Sequence, residues 1–185
     1  LIARYYITDR HPLGGLDPLL ENIARHFRDG IELIQLREKD LSPRDQFAFA
    51  QRVRALPNPH GARILINDRL DIALAAGLDG VHLRGDAPPA SDLRSHLPPG
   101  FLVAVSCHSL ADVERAAAAD FVVLGPVFAS LSKPGYGPAI GLDTLARAAQ
   151  LVPTYALGGI TAANAPACIA AGAAGIAAIT MFQQE

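Results

Sequence analysis

Short, unbroken apolar runs alternate along this chain with longer stretches whose apolar residues recur at helical spacing. The runs predict strands over Arg4–Asp9, Ile31–Arg37, Arg63–Asp68, Gly80–Leu83, Leu102–Ser106, Phe121–Phe128, Thr154–Gly158 and Gly175–Thr180. Strands covered on both faces need continuous apolar character rather than period-two alternation, and that is the pattern here. Helices are predicted between them, over Leu16–Asp29, Pro43–Ala55, Arg69–Ala76, Ser91–His96, Leu110–Ala119, Asp143–Leu151 and Ala162–Ala171.

Local chemistry supports several of these boundaries. Ser42-Pro43-Arg44-Asp45 supplies an N-cap, a proline at the first helical position and an acid in the first turn. Ser109 followed by Asp112 repeats the cap and acid, and Thr161 precedes the last predicted helix. Ala76-Gly77 and Ala171-Gly172 read as helix stops before a strand.

Eight strands in strict alternation with helices predict a small (β/α)8 TIM barrel, with a doubly wound open sheet as the alternative. Residues 1–185 are read as a single TIM-barrel domain, without a linker or low-complexity tract, and the proline-rich stretch 86–99 as a loop around a short helix. The chain stops five residues after Thr180, so the eighth helix is expected to be absent, truncated or supplied by a partner. A first residue of Leu1 rather than Met suggests a trimmed start.

Composition narrows the partners. Half of the residues are hydrophobic, enough for a large core, and the formal net charge of −2 gives no reason to expect nucleic acid or an anionic membrane. No apolar run approaches the roughly 18–20 residues of a membrane span, and no secretory signal is visible. Cys107 and Cys168, the two cysteines, lack metal-ligand spacing and read as buried apolar groups in a cytoplasmic protein.

Charge usage changes the picture more. The chain has two lysines, Lys39 and Lys133, against fourteen arginines. Each lysine follows an apolar run, in Gln35-Leu36-Arg37-Glu38-Lys39 and Ser130-Leu131-Ser132-Lys133, and an ammonium suits phosphate as a point charge. The other polar residues also gather where strands end: Asn67-Asp68, Asp86, Ser106-Cys107-His108-Ser109, Gly158-Gly159 and Thr180. Barrel enzymes carry their sites at the C-terminal ends of the strands. Arg37, Lys39 and Lys133 therefore suggest a polyanion site, Asp68 and Asp86 a hard divalent cation, and Gly158-Gly159 before Thr161 a second anion site. Plainer readings stand beside these: an Arg37–Glu38 surface ion pair, Asn67-Asp68 as a helix cap, Asp86 solvated in its loop, and His82 packed in the core.

These motifs, together with Ile66-Asn67-Asp68-Arg69, Asp79-Gly80-Val81-His82-Leu83, Gly125-Pro126-Val127-Phe128 and Gly158-Gly159-Ile160-Thr161, resemble thiamine phosphate synthase and its relatives over nearly the whole chain. The resemblance implies a Mg²⁺-dependent transferase that joins a pyrimidine diphosphate to a thiazole phosphate and releases pyrophosphate. Carried over by position, Gln35 would contact the pyrimidine, while Arg37, Lys39, Asn67, Ser106 and Lys133 would hold the diphosphate. Asp68 and Asp86 would bind Mg²⁺, and Ser130, Ser132, Gly158, Gly159, Ile179 and Thr180 would line the thiazole phosphate pocket. Three departures from the family pattern stand out. Asp86 comes one residue early after strand four, Leu131 replaces a proline, and Thr180 replaces a serine. A thiazole tautomerase of the same family, with His108 as acid and base, is the close rival; a non-catalytic barrel holding thiazole or thiamine phosphate is the other. Homo-oligomerisation stays open.

Overall fold

The computed structural model describes residues 2–129 and 138–183. The strands are β1 (Ala3–Ile7), β2 (Leu33–Leu36), β3 (Arg63–Asn67), β4 (Gly80–Leu83), β5 (Leu102–Cys107), β6 (Phe121–Leu124), β7 (Thr154–Ala156) and β8 (Gly175–Ala178). They join in chain order into a closed barrel, with parallel pairing of β1 with β2, β2 with β3, β3 with β4, β5 with β6, β6 with β7 and β7 with β8. The open-sheet alternative is thereby excluded. Helices α1 (Leu16–Arg28), α2 (Pro43–Arg54), α3 (Leu70–Ala75), α4 (Ala90–Leu93), α5 (Leu110–Arg115), α6 (Gly141–Ala149) and α7 (Ala165–Ala170) lie between the strands. A 3₁₀ turn at Arg94–His96 extends α4, and another at Thr180–Phe182 follows β8.

The continuous apolar runs are buried as parallel strands require: β2, β4, β6 and β8 are buried at every position. Most predicted elements overran their ends. The run through Phe128 leaves the ladder after Leu124, although Val127 stays buried and its N–H reaches Leu157 O at 2.8 Å. Leu110–Ala119 shortens to α5, and Ala162–Ala171 to α7. Apolar character reports burial, and burial outlasts the hydrogen-bonded ladder.

The caps behave as their sequences suggest. Ser42 Oγ accepts from Asp45 N–H at 3.1 Å and Ser109 Oγ from Asp112 N–H at 3.2 Å. Thr161 acts differently, exchanging reciprocal bonds with Asn164 before α7 begins. After α3, Gly77 N–H reaches Leu74 O and Leu78 N–H reaches Ala73 O; after α7, Gly172 and Ala173 make the equivalent pair with Ile169 and Cys168. Both are Schellman stops.

Contacts cluster into two units, Arg4–His82 with Ile179–Glu185, and Leu83–Ala178 with Leu1–Ala3. In the first, Phe182 packs against Tyr6 and His26, and His26 Nε2 donates to Phe182 O at 2.7 Å. Burial lowers the His26 pKa, so the ring is a neutral anchor for that turn. In the second, Phe121 and Tyr155 meet with ring centroids 5.0 Å apart. Among the described residues no helix is long and apolar enough to cross a membrane.

Candidate active site

In the unit formed around β1–β3, the polar residues sit at the C-terminal ends of their strands. Gln35 is buried within β2, Arg37 is half-buried just beyond it, and Lys39 is exposed in the following turn. Gln35 Nε2 lies 2.7 Å from His82 Nδ1 and 3.2 Å from Tyr5 Oη, which is itself 3.0 Å from His82 Nδ1. An amide nitrogen only donates, so His82 Nδ1 is an acceptor and its proton lies on Nε2. His82 is fully enclosed, and burial, reinforced by the charges of Arg37 and Lys39, pushes its pKa down to about 3. This bears out the packed, hydrogen-bonded reading of His82. It also shows what holds Gln35.

Glu38 departs from the plain sequence reading. It does not stand on the surface as a partner of Arg37: it is 6% exposed, with Thr8 on one oxygen and Arg10 on the other. Arg10 also forks onto Asp40 through Nη1 and Nη2, at 2.6 and 2.5 Å. That fork holds the Asp40 carboxyl far below the usual carboxylate range.

Asn67 closes β3 and Asp68 follows it, both half-buried. Asp68 N–H donates to His82 O at 2.8 Å, and its φ of 62° lies in the left-handed region that aspartate tolerates better than most residues. The cap position of α3 falls on Arg69, with no side-chain cap bond. The cap reading of Asn67-Asp68 therefore fails. Ile179 is half-buried after β8 and Thr180 is exposed at the start of the 3₁₀ turn.

One group of acidic and imidazole ligand atoms, on Asp9, His11 and Glu38, lies within 4.8 Å among the described residues. Neither Asp68 nor Asp86 belongs to it. Asp9 Oδ1 already takes the backbone N–H of His11 at 3.1 Å and sits 2.9 Å from its ring, raising the His11 pKa. A cation bridging all three would also have to compete with Arg10 for Glu38, so these donors fit a metal poorly.

In the other unit, Ser106 is half-buried near the end of β5, and His108 is exposed beyond it. His108 Nδ1 donates to Gly125 O at 2.8 Å, and its backbone N–H donates to Asp112 Oδ2 at 2.8 Å. Asp86, three residues past β4, is exposed and 3.3 Å from Arg84 Nε, so its loop supplies an immediate counter-ion. Gly158 and Gly159 follow β7 with φ of 94° and 62°. A Cβ on Gly158 would stand 2.6 Å from Pro126, and one on Gly159 would stand 2.7 Å from Ala129 O. Only glycine lets this loop follow that path. Ser130, Ser132 and Lys133 lie outside the described residues.

Thr8, Arg10 and Tyr5 escaped the sequence reading. Thr8 carried the available signal, a polar residue where an apolar strand gives out, as at the other strand ends.

A closed parallel barrel with amide, guanidinium, ammonium and carboxylate groups just past its strands defines a class, the (β/α)8 barrels that work through strand-end residues. A family model described as thiamine monophosphate synthase matches residues 4–182, and the chain belongs to that family. It is 48% identical over 160 residues to a thiamine-phosphate synthase of Methanoculleus marisnigri, covering 84% of this chain and 76% of that protein. It is 40% identical over 180 residues to one of Roseiflexus sp., covering 95% of this chain and 76% of the other. Among solved structures it resembles thiamine phosphate pyrophosphorylase from Pyrococcus furiosus, with a TM-score of 0.84 and 29% identity, over 100% of this chain and 89% of that one.

Proposed function

We propose that this chain is a thiamine-phosphate synthase, a transferase that moves the hydroxymethylpyrimidine group from its diphosphate to thiazole phosphate and releases pyrophosphate. The observation that carries the reading is the grouping of Gln35, Arg37, Lys39, Asn67 and Asp68 at and just beyond the ends of β2 and β3, in a member of this family. A tautomerase that leaves its substrate's phosphate in place has no use for so many diphosphate ligands.

Departure of a diphosphate concentrates negative charge on the leaving oxygens and positive charge on the pyrimidine carbon. Catalysis then asks for orientation and fixed countercharge more than for a base. Arg37 and Lys39 supply the countercharge, with Asn67, Ser106 and Lys133 as further diphosphate ligands. Gln35 orients the pyrimidine; its own amide is fixed by His82 and Tyr5. Gly158, Gly159, Ile179 and Thr180, with Ser130 and Ser132, take the thiazole phosphate. Asp68 offers the hard oxygen donor that suits Mg²⁺, with Asp86 as the second candidate, and the ion would offset charge on the leaving group. The substrates are small molecules, and a cytoplasmic location belongs to the same proposal.

One observation favours the tautomerase: the His108 ring is oriented by Gly125 O, as an acid–base imidazole would need. A single assay separates the readings. Pyrophosphate release that requires both precursors and Mg²⁺ is the expected result. Isomerisation of the thiazole without the diphosphate would install the tautomerase instead, and binding without either turnover the passive barrel.

A further inference from the structure

Next to Arg37 in the loop after β2 lies a cluster to which the proposed reaction assigns no role. Thr8 is fully buried and Glu38 nearly so, although both are polar. The Thr8 hydroxyl accepts from the backbone N–H of Arg37 at 2.9 Å and donates to Glu38 Oε1 at 2.8 Å. With one proton and two lone pairs, this one group ties the main chain of Arg37 to the side chain of the next residue. Thr8 is itself tied to β2, its N–H donating to Gln35 O at 2.9 Å. Arg10 closes the other side, donating to Glu38 Oε2 from its backbone N–H at 3.2 Å and from Nη1 at 3.0 Å. Beyond Glu38, Gln46 Nε2 reaches Glu38 O at 3.4 Å and Leu41 O at 3.0 Å.

The direction of the side chains follows from strand geometry. Successive residues of a strand point to opposite sides. Gln35 turns toward Tyr5 and His82. Carried past Leu36 with the same period, Arg37 falls on the side of Gln35, and Glu38 on the opposite side, with Thr8. Fastening Glu38 there, with Arg37 N–H held by the same hydroxyl, fixes the backbone that carries Arg37 and leads into Lys39. Stability alone is a weak reason for such a device, because an apolar side chain would fill the place without desolvating a carboxylate.

We propose that Thr8, Glu38 and Arg10 are positioning residues that aim Arg37 and Lys39 at a diphosphate, an inference that rests on the synthase reading. The proposed reaction gives none of the three a substrate contact. Their effect falls on one of the two substrates only.

Thr8→Val removes the hydroxyl at nearly constant volume, and Thr8→Ser keeps it. Thr8→Val should raise KM for the pyrimidine diphosphate about tenfold and leave KM for thiazole phosphate within about twofold, since small displacements of positioned groups carry large kinetic effects. Thr8→Ser should restore the wild-type KM. Equal changes in both KM values, or a lower kcat that merely tracks a lower Tm, would make the cluster structural and overturn the proposal. Titration calorimetry with pyrophosphate and Mg²⁺ makes the same comparison without turnover: weaker binding in Thr8→Val alone supports it, and equal Kd values across the three proteins overturn it. Should Thr8→Val fail to fold, Arg10→Lys is the second variant, because it keeps the charge and loses the fork. A wild type that binds pyrophosphate without turning over overturns the synthase reading alone, and one that binds none overturns both.

Discussion

A single imidazole shows how much of this molecule's chemistry depends on enclosure. His82 accepts a proton with difficulty, since burial and two nearby cations hold its pKa near 3. In the unfolded chain it titrates near the ordinary 6.5. Between those values the unfolded chain binds a proton that the native chain refuses, so stability falls on acidification through that window. The slope from this one group is at most about 1.4 kcal/mol per pH unit, and it vanishes above pH 6.5. Urea unfolding of wild type and His82→Gln at pH 7.5, 5.5 and 4.5 should show the steeper acid loss in the wild type, by about one proton's worth of slope. Parallel curves would mean that other groups carry the acid response. The same neutrality lets Nδ1 accept from Gln35, so the group that unsettles the fold in acid is the one that holds the Gln35 amide at neutral pH.

At the scale of elements, the helices depend on packing more than on their own propensity. α3, α5 and α7 span six residues each, below the length at which an isolated helix persists in water. Their buried residues, among them Ile72, Val113 and Cys168, hold them to the barrel. Termini matter in proportion, because a cap serves a large fraction of so short a helix. In the longer α2 the cap can be read alone: Ser42 accepts from Asp45 N–H and donates to Asp45 Oδ2. Ser42→Ala should lower unfolding free energy by about 1 kcal/mol without altering turnover, measured by denaturant titration and steady-state assay. An unchanged midpoint would show that Pro43 and the first-turn acid suffice to start the helix.

For the whole molecule, the barrel was legible because its cause is local. A strand buried on both faces must be apolar throughout, and β2, β4, β6 and β8 announced themselves that way. The candidate site was legible in part, through Arg37, Lys39 and Asn67 at the ends of strands. What escaped was pairing across distance. Nothing next to Glu38 in the chain reveals that its partners are Thr8 and Arg10, 30 and 28 residues away. Nor does the sequence show that Asp68 adopts a positive φ while leaving α3 uncapped. Element ends were misjudged for a related reason, since Val127 is as buried in its loop as its neighbours are in β6.

The two sulfur atoms offer an unexpected instrument. Cys107 and Cys168 are free thiols with no solvent exposure, and burial pushes Cys107 up to about 12 and raises Cys168 as well. Modification needs both access and the thiolate, and the native protein denies both. Maleimide should therefore label neither sulfur promptly in buffer and both in concentrated urea. The slow uptake between those limits would time how often β5 and α7 come open, a clock read by mass spectrometry with no engineered probe.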